Sequence, residues 1–337
     1  MPLFRDRTLF IGLSVFLLIS LAWFLFVPPS GTGLSKTIFF KKGTPLKKVS
    51  TILEEEGIIR SNHLFVALTT LLGKKMQIKA GEYELNTAMR PLQVLDALVK
   101  GQAKDHLVTL PEGYTLAQIA QLLEDLNIVE KAAFLQKATS ATFIASFDLG
   151  PGVRPSLEGY LFPNTYHFYK EMDPEEVIRR LVQQFKKVFT PELASQAAQR
   201  GMSEREVVTL ASIIEKETSL PDEKPLVSAV FHNRLRLKMP LQSDPTVIYG
   251  VKDFSGNLKR EHLTKPSPYN TYLLMGLPAG PICNPGRNSL LAALSPAAIP
   301  YLYFVSKNDG SHHFSITLEE HNRAVMKYQV KKHLTKK

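Results

Sequence analysis

The chain has one cysteine, Cys283, among 337 residues. A single thiol excludes an internal disulfide framework and a cysteine-built zinc site, and leaves the redox compartment open. Histidine is no better placed for a metal: His312 and His313 are neighbours on an expected strand and point to opposite faces, and no set of three or four ligands recurs at suitable spacing. No Gly-x-Ser-x-Gly elbow occurs, which argues against a Ser-His-Asp hydrolase, and no glycine-rich phosphate loop occurs, which argues against nucleotide chemistry. The sequence calls for no cofactor. Basic residues exceed acidic ones, for a net charge of +10, yet no basic run is interleaved with aromatics, so nucleic acid is not the expected partner. The charge suits work beside anionic lipid or another anionic polymer.

With 44% hydrophobic and 21% charged residues the composition is that of a globular protein with room for two or three folded units. Residues 8–27 carry no charge and are about 20 long, the length that crosses a bilayer as a helix. Arg5 and Arg7 put the short stretch 1–7 in the cytoplasm, and Trp23-Phe24-Leu25-Phe26 stands where a cleavable signal would need small residues. The expectation is a single-pass, uncleaved anchor in the cytoplasmic membrane, a linker over 28–35, and everything beyond on the outer, periplasmic side. Two stretches then share one pattern without a gap. Gly43-Thr44-Pro45-Leu46 leads into Val49, Ile52 and Leu53; Gly113-Tyr114-Thr115-Leu116 leads into Ile119, Leu122 and Leu123. Each reads as strand, glycine turn, amphipathic helix and second helix. Residues 36–105 are thereby expected to form a small LysM-like module or else a purely structural packing domain, and 106–153 a second copy and transition.

Residues 154–333 are expected to be a mixed α+β domain, making the whole chain α+β. Residues 156–166 are dense in aromatics and fit either a sugar groove or a core-facing turn. Loops at 270–272 and 276–286, rich in Gly and Pro, are expected to wall a groove. Tyr301 to Val305 and His312 to Ile316 form a hairpin through Asn308-Asp309-Gly310. The chemistry concentrates in the helix that closes on Glu215-Lys216-Glu217. Ser203 and Glu206 form a capping box at its start, Pro221 limits its end, and Val207, Leu210, Ala211 and Ile214 make a core-facing stripe. Residues two apart do not face each other on a helix, so Glu215 and Glu217 cannot flank one scissile bond together. The alternative is that both are solvated rim residues.

Several stretches together resemble one family. They are Leu-Ala-Ser-Ile-Ile-Glu-Lys-Glu-Thr at 210–218, His-Asn-Arg-Leu at 232–235, Leu-Gln-Ser-Asp-Pro-Thr-Val-Ile-Tyr-Gly at 241–250, Tyr-Asn-Thr-Tyr at 269–272 and Gly-Leu-Pro-Ala-Gly-Pro-Ile at 276–282. The chain is similar there to the endolytic murein transglycosylases, the MltG or YceG-like family. The resemblance implies a peptidoglycan lytic transglycosylase that cuts the MurNAc–GlcNAc β-1,4 bond of nascent glycan, leaves 1,6-anhydro-MurNAc ends, and so ends strand elongation, with cell-wall synthases as partners. By motif position it places the catalytic carboxyl on Glu215, as acid and then base, in an apolar pocket to which Val208 and Ala211 contribute. Gln242, Ser243, Asp244, Thr246, Asn270 and Tyr272 are the expected sugar-binding set, Asp244 being also a candidate cap for the helix after it. Glu217 is expected as a structural or polarising neighbour, and Glu158 as a reserve second carboxylate. The other functional class open to this sequence is an anchored, non-catalytic glycan-binding scaffold.

Overall fold

The computed structural model describes residues 23–24, 27–30, 33–41, 43–101, 105–150, 156–251 and 254–330. Among them no helix is long and apolar enough to cross a membrane. The expected span at 8–27 lies outside the described residues except for 23, 24 and 27. The chain separates into two compact units, one holding residues up to 107 with 126–129 and 167–173, the other holding the remainder.

In the first unit β1 (Ser35–Phe40) pairs antiparallel with β2 (Gly81–Asn86), Phe40 facing Gly81, and the chain between them forms α1 (Leu46–Glu55) and α2 (Asn62–Leu71). A third helix, α3 (Pro91–Lys100), follows and ends on Gly101 at φ +72°, the left-handed conformation glycine adopts without strain. The core collects Ile38 and Phe40 from β1, Leu53 from α1, Phe65 from α2, Tyr83 from β2 and Leu95 from α3, together with Phe24. Alternation on the strands and the helical stripe of α1 give one buried face each, as the sequence periods require. Glu82 accepts from Lys170 at 2.9 Å and pairs with His106 at 2.8 Å, tying the 167–173 segment into this unit.

The second unit carries the elements of the second repeat, α4 (Leu116–Asp125) and α5 (Lys131–Ala138), with α6 (Ala141–Ala145) after them. Strand β3 (His106–Thr109) precedes α4 and pairs with β4 (Thr165–Phe168); of these, 108–109 and 165–166 belong to this unit. Helices α7 (Pro174–Val188), α8 (Pro191–Gln199), α9 (Glu204–Glu217) and α10 (Lys224–Arg236) follow, then the short α11 (Asp244–Gly250) and α12 (Arg260–Thr264), and α13 (Arg287–Leu294). Strands β5 (Tyr303–Ser306) and β6 (His312–Ser315) pair antiparallel, and α14 (Leu318–Val325) follows them.

Helix α9 buries more than the core-facing stripe expected of it: Val207 through Ile214 are all buried, Thr209 and Ser212 included. The Ser212 hydroxyl becomes compatible with burial because it donates to the Thr209 carbonyl at 2.7 Å and accepts from Ile282 N–H at 3.0 Å. The segment 156–166 takes the core alternative, with Leu157, Tyr160 and Leu161 no more than 1% exposed. And 280–285 is not a groove wall. Ile282, Cys283 and Asn284 are buried, the Asn284 side chain donating to the Tyr114 carbonyl at 2.9 Å and accepting from Leu161 N–H at 2.8 Å. Gly and Pro marked that segment as irregular, but irregular backbone can be buried when its polar groups find partners.

Candidate active site

The second unit positions both carboxylates of α9 by giving each a different set of partners. The capping box is present, with Ser203 N–H donating to Glu206 at 2.8 Å, so the helix register is fixed from its first turn. At its far end the side chains two residues apart diverge. Glu215 Oε1 takes the Lys224 ammonium at 2.9 Å, and Oε2 takes Gly286 N–H at 2.9 Å and Ser289 Oγ–H at 2.7 Å. Its side chain is 7% exposed and that of Lys224 3%. Gly286 is the N-cap of α13, so the carboxylate also meets the positive end of that helix. Glu215 is therefore a three-way tie joining α9, α10 and α13. Val208 and Ala211, expected to line an apolar pocket around it, are buried in the core; the carboxylate bonds an ammonium, an amide and a hydroxyl, and the Glu112 carboxyl shares the Lys224 ammonium at 3.8 Å.

Glu217 has the opposite surroundings. It is partly buried, and its one hydrogen bond among the described residues is from Ser243 Oγ–H to its Oε1. Burial pushes its pKa up to about 7; the hydrogen bond from Ser243 opposes that rise, the nearby negative charge of Asp244 adds to it, and Arg234 works against it. This carboxyl is poised to hold a proton at neutral pH and to give it up.

Ser243, Asp244 and Tyr272 belong to the same place. Ser243 is the N-cap of α11, and its N–H donates to Thr271 Oγ1 at 3.0 Å. Asp244, exposed at the first turn of α11, does not cap the helix; its Oδ1 accepts the Tyr272 hydroxyl at 2.6 Å. Gln242 is exposed and left-handed at φ +51°, a conformation costly for a residue with a Cβ. Its amide N–H is held by the Thr271 carbonyl at 3.0 Å. Two expected sugar ligands do not face outward. Thr246 is fully buried and bonds Ser243 O at 2.7 Å and Thr271 Oγ1 at 2.8 Å. Asn270 is fully buried, its amide capping the carbonyls of Leu263 and Lys265 at 3.0 and 2.8 Å. Both brace the loop that carries Tyr272. Glu158 lies elsewhere in the unit. It accepts from Leu116 N–H at 2.9 Å, Tyr249 Oη–H at 3.1 Å and Asn284 at 3.1 Å, and burial pushes its pKa up to about 7. With both oxygens bonded inside the unit, it has the contacts of a structural carboxyl.

The sequence reading gave no role to Arg234, which organises the site from beneath. Its Nε donates to the Leu302 carbonyl at 2.7 Å, and its Nη1 to Leu241 O at 2.9 Å and Gln242 Oε1 at 3.3 Å. The two residues before it act alike: His232 bonds Ala293 O at 2.8 Å and Asn233 bonds the carbonyls of Ile299 and Tyr301 at 2.9 and 3.0 Å. Three consecutive polar residues on a largely buried helix were the available signal. Glu223 also escaped notice; His312 meets it at 2.7 Å and Thr218 Oγ1 donates to it at 3.3 Å, which steadies the chain just past Glu217.

A partly buried acid whose pKa lies near 7, bonded to Ser243 and close to Asp244, is a group suited to acid–base chemistry. The particular family follows from comparison: the YceG-like family model matches residues 38–327, and the chain belongs to that family. It is 33% identical over 299 residues to a protein of Bacillus subtilis named endolytic murein transglycosylase, covering 85% of this chain and 82% of that one. A Streptococcus pneumoniae protein of the same name is 29% identical over 321 residues, spanning 87% of this chain and 58% of its own length. The crystal structure of a putative YceG-like protein from Listeria monocytogenes superposes with a TM-score of 0.60 at 33% identity, covering 87% of this chain and all of that one.

Proposed function

We propose that the chain is an endolytic murein transglycosylase, a lyase that cleaves the MurNAc–GlcNAc β-1,4 bond of nascent glycan and leaves 1,6-anhydro-MurNAc ends, with Glu217 and not Glu215 as its acid and base. The names of the relatives support the class. The observation that carries the residue assignment is the contrast between the two glutamates: one locked to Lys224, the other with one hydrogen bond and a pKa near 7. Protonated Glu217 donates to the glycosidic oxygen as its bond to C1 breaks. The C6 hydroxyl of the same sugar attacks C1, and the Glu217 carboxylate then takes the proton from that hydroxyl. No water enters, and one carboxyl serves both steps. Ser243 holds Oε1 so that Oε2 faces substrate. Asp244, oriented by Tyr272, faces the positive charge that develops on the sugar ring, and exposed Gln242 presents an amide to hydroxyls.

On the same reading residues 8–27 anchor the chain in the cytoplasmic membrane with the folded units outside, near cell-wall synthases. The strand–helix–helix–strand order of β1, α1, α2 and β2 supports a LysM-like role in gripping glycan. Incubating the protein with peptidoglycan and analysing the strand ends by mass spectrometry tests the activity. Anhydro ends are expected; ordinary reducing ends would mean a hydrolase, and uncut but bound strands would mean a scaffold.

A further inference from the structure

Helix α2 leaves an apolar face uncovered. Phe65 and Thr69 turn into the core of the first unit, whereas Leu64, Ala67 and Leu71, at i, i+3 and i+7, face out. Leu71 is 86% exposed and Met76, just beyond the helix, 90%; Leu72 is 46% exposed. Single exposed leucines are ordinary, but a stripe of them running into an exposed methionine marks a surface with a partner. Two further observations say which partner. From Gly57 to Gly81 the chain has no acidic residue and has Arg60, Lys74, Lys75 and Lys79. Arg60, immediately before the Ser61 cap of α2, donates to the Pro28 carbonyl at 2.7 Å and stacks over the Trp23 ring at 3.9 Å. The start of α2 is thus fastened to the residues that end the 8–27 stretch. A half-exposed tryptophan at that point is the residue type that sits at the level of lipid headgroups.

We infer that the exposed face of α2, with Met76 and the Lys74–Lys75 pair, lies on the surface of an anionic lipid bilayer. The inference rests on the proposed anchor at 8–27. Aliphatic side chains flanked by ammonium groups match the acyl–headgroup boundary, whereas a sugar strand would call for ring faces. Helix α2 is about 15 Å long, so its whole face lies within reach of the interface at which Trp23 stands. The contact restricts the first unit to one orientation on the membrane.

The test uses the full chain reconstituted in vesicles containing phosphatidylglycerol. Cys283 is buried, so Met76→Cys can be labelled selectively with an environment-sensitive fluorophore, with Glu55→Cys as the comparison site. Lipid-borne quenchers are expected to quench the probe at 76 at least about twofold more than at 55. Lys74→Glu with Lys75→Glu, or a purely zwitterionic bilayer, is expected to reduce that difference, since each lysine is worth about fivefold in surface occupancy. Protein that resists an alkaline wash but shows equal quenching at the two sites overturns the docking and leaves the anchor standing. Protein that washes off overturns the anchor and the docking with it. A disulfide dimer formed through position 76 would assign the face to a second copy of the chain and also overturn the proposal.

Discussion

Replacing Glu215 and Glu217 by glutamine, one at a time, should produce two different defects. Glutamine at 215 leaves the Lys224 ammonium, whose side chain is 3% exposed, with only the more distant Glu112 carboxylate at 3.8 Å. Removing one partner of a buried ion pair costs about 3–5 kcal/mol. Glutamine keeps an acceptor oxygen for Ser289 or Gly286, so the lower end of that range is expected. At about 2–4 °C per kcal/mol for a unit of this size, Glu215→Gln lowers Tm by about 6–12 °C. Glutamine at 217 resembles the protonated acid, keeps an acceptor for Ser243, and leaves no charge unpaired. It should not lower Tm, but it removes general acid catalysis, worth about 10²–10⁴ in rate or about 3–5 kcal/mol of barrier. The assay is release of anhydro-ended fragments at a temperature where both variants are folded by circular dichroism, with Tm measured in parallel. Under those conditions Glu215→Gln retains most of its kcat/KM and Glu217→Gln loses at least a hundredfold. A folded Glu215→Gln that loses a thousandfold while Glu217→Gln turns over normally would refute the assignment.

Because Glu217 must be protonated to act and its pKa lies near 7, kcat/KM should be level on the acid side and fall about tenfold per pH unit above about 7. The negative charge of Asp244 helps to hold that pKa up, so Asp244→Asn should move the fall to lower pH as well as reduce kcat; an unmoved pH profile would deny Asp244 its electrostatic role. Glu158 is raised to about 7 in the folded chain against about 4.5 when exposed, so its contribution to stability is complete below about pH 4.5 and is lost as pH rises through 7. Glu158→Gln should accordingly flatten the dependence of Tm on pH between 5 and 8. Gly159, at φ +90°, has Pro281 and Val208 side-chain carbons within 2.6 and 2.8 Å of where a Cβ would stand. Gly159→Ala should cost about 3 kcal/mol or more, read as a lower denaturant midpoint with little change in m.

Periodicity made the helices legible: the ends of α9 followed from Ser203, Glu206 and Pro221, and the β5–β6 hairpin from Asn308-Asp309-Gly310. What escaped was the identity of the partner a polar group would find. Thr246 and Asn270 have the composition of ligands and the position of braces, because each could satisfy its hydrogen bonds within a loop whose path the sequence does not specify. Asn284 is buried for the same reason, its partners at Tyr114 and Leu161 lying more than a hundred positions away.

The two carboxylates of α9 set the limit of a wheel argument. The wheel correctly separates them, since 200° of rotation sends them to different neighbours. It identifies neighbours only on the same helix, however, and those are apolar for both apart from Ser212 beside Glu215. Glu215 acquires its character from Lys224 and Gly286, and Glu217 from Ser243 and Asp244, all on other elements. An ammonium 2.9 Å away turns one carboxyl into a structural anchor, and a hydroxyl with a nearby like charge leaves the other able to exchange a proton. On the proposed assignment, which glutamate does chemistry is decided by tertiary contacts over 70 or fewer intervening residues. On that assignment the catalytic carboxyl is the one its surroundings leave incompletely satisfied.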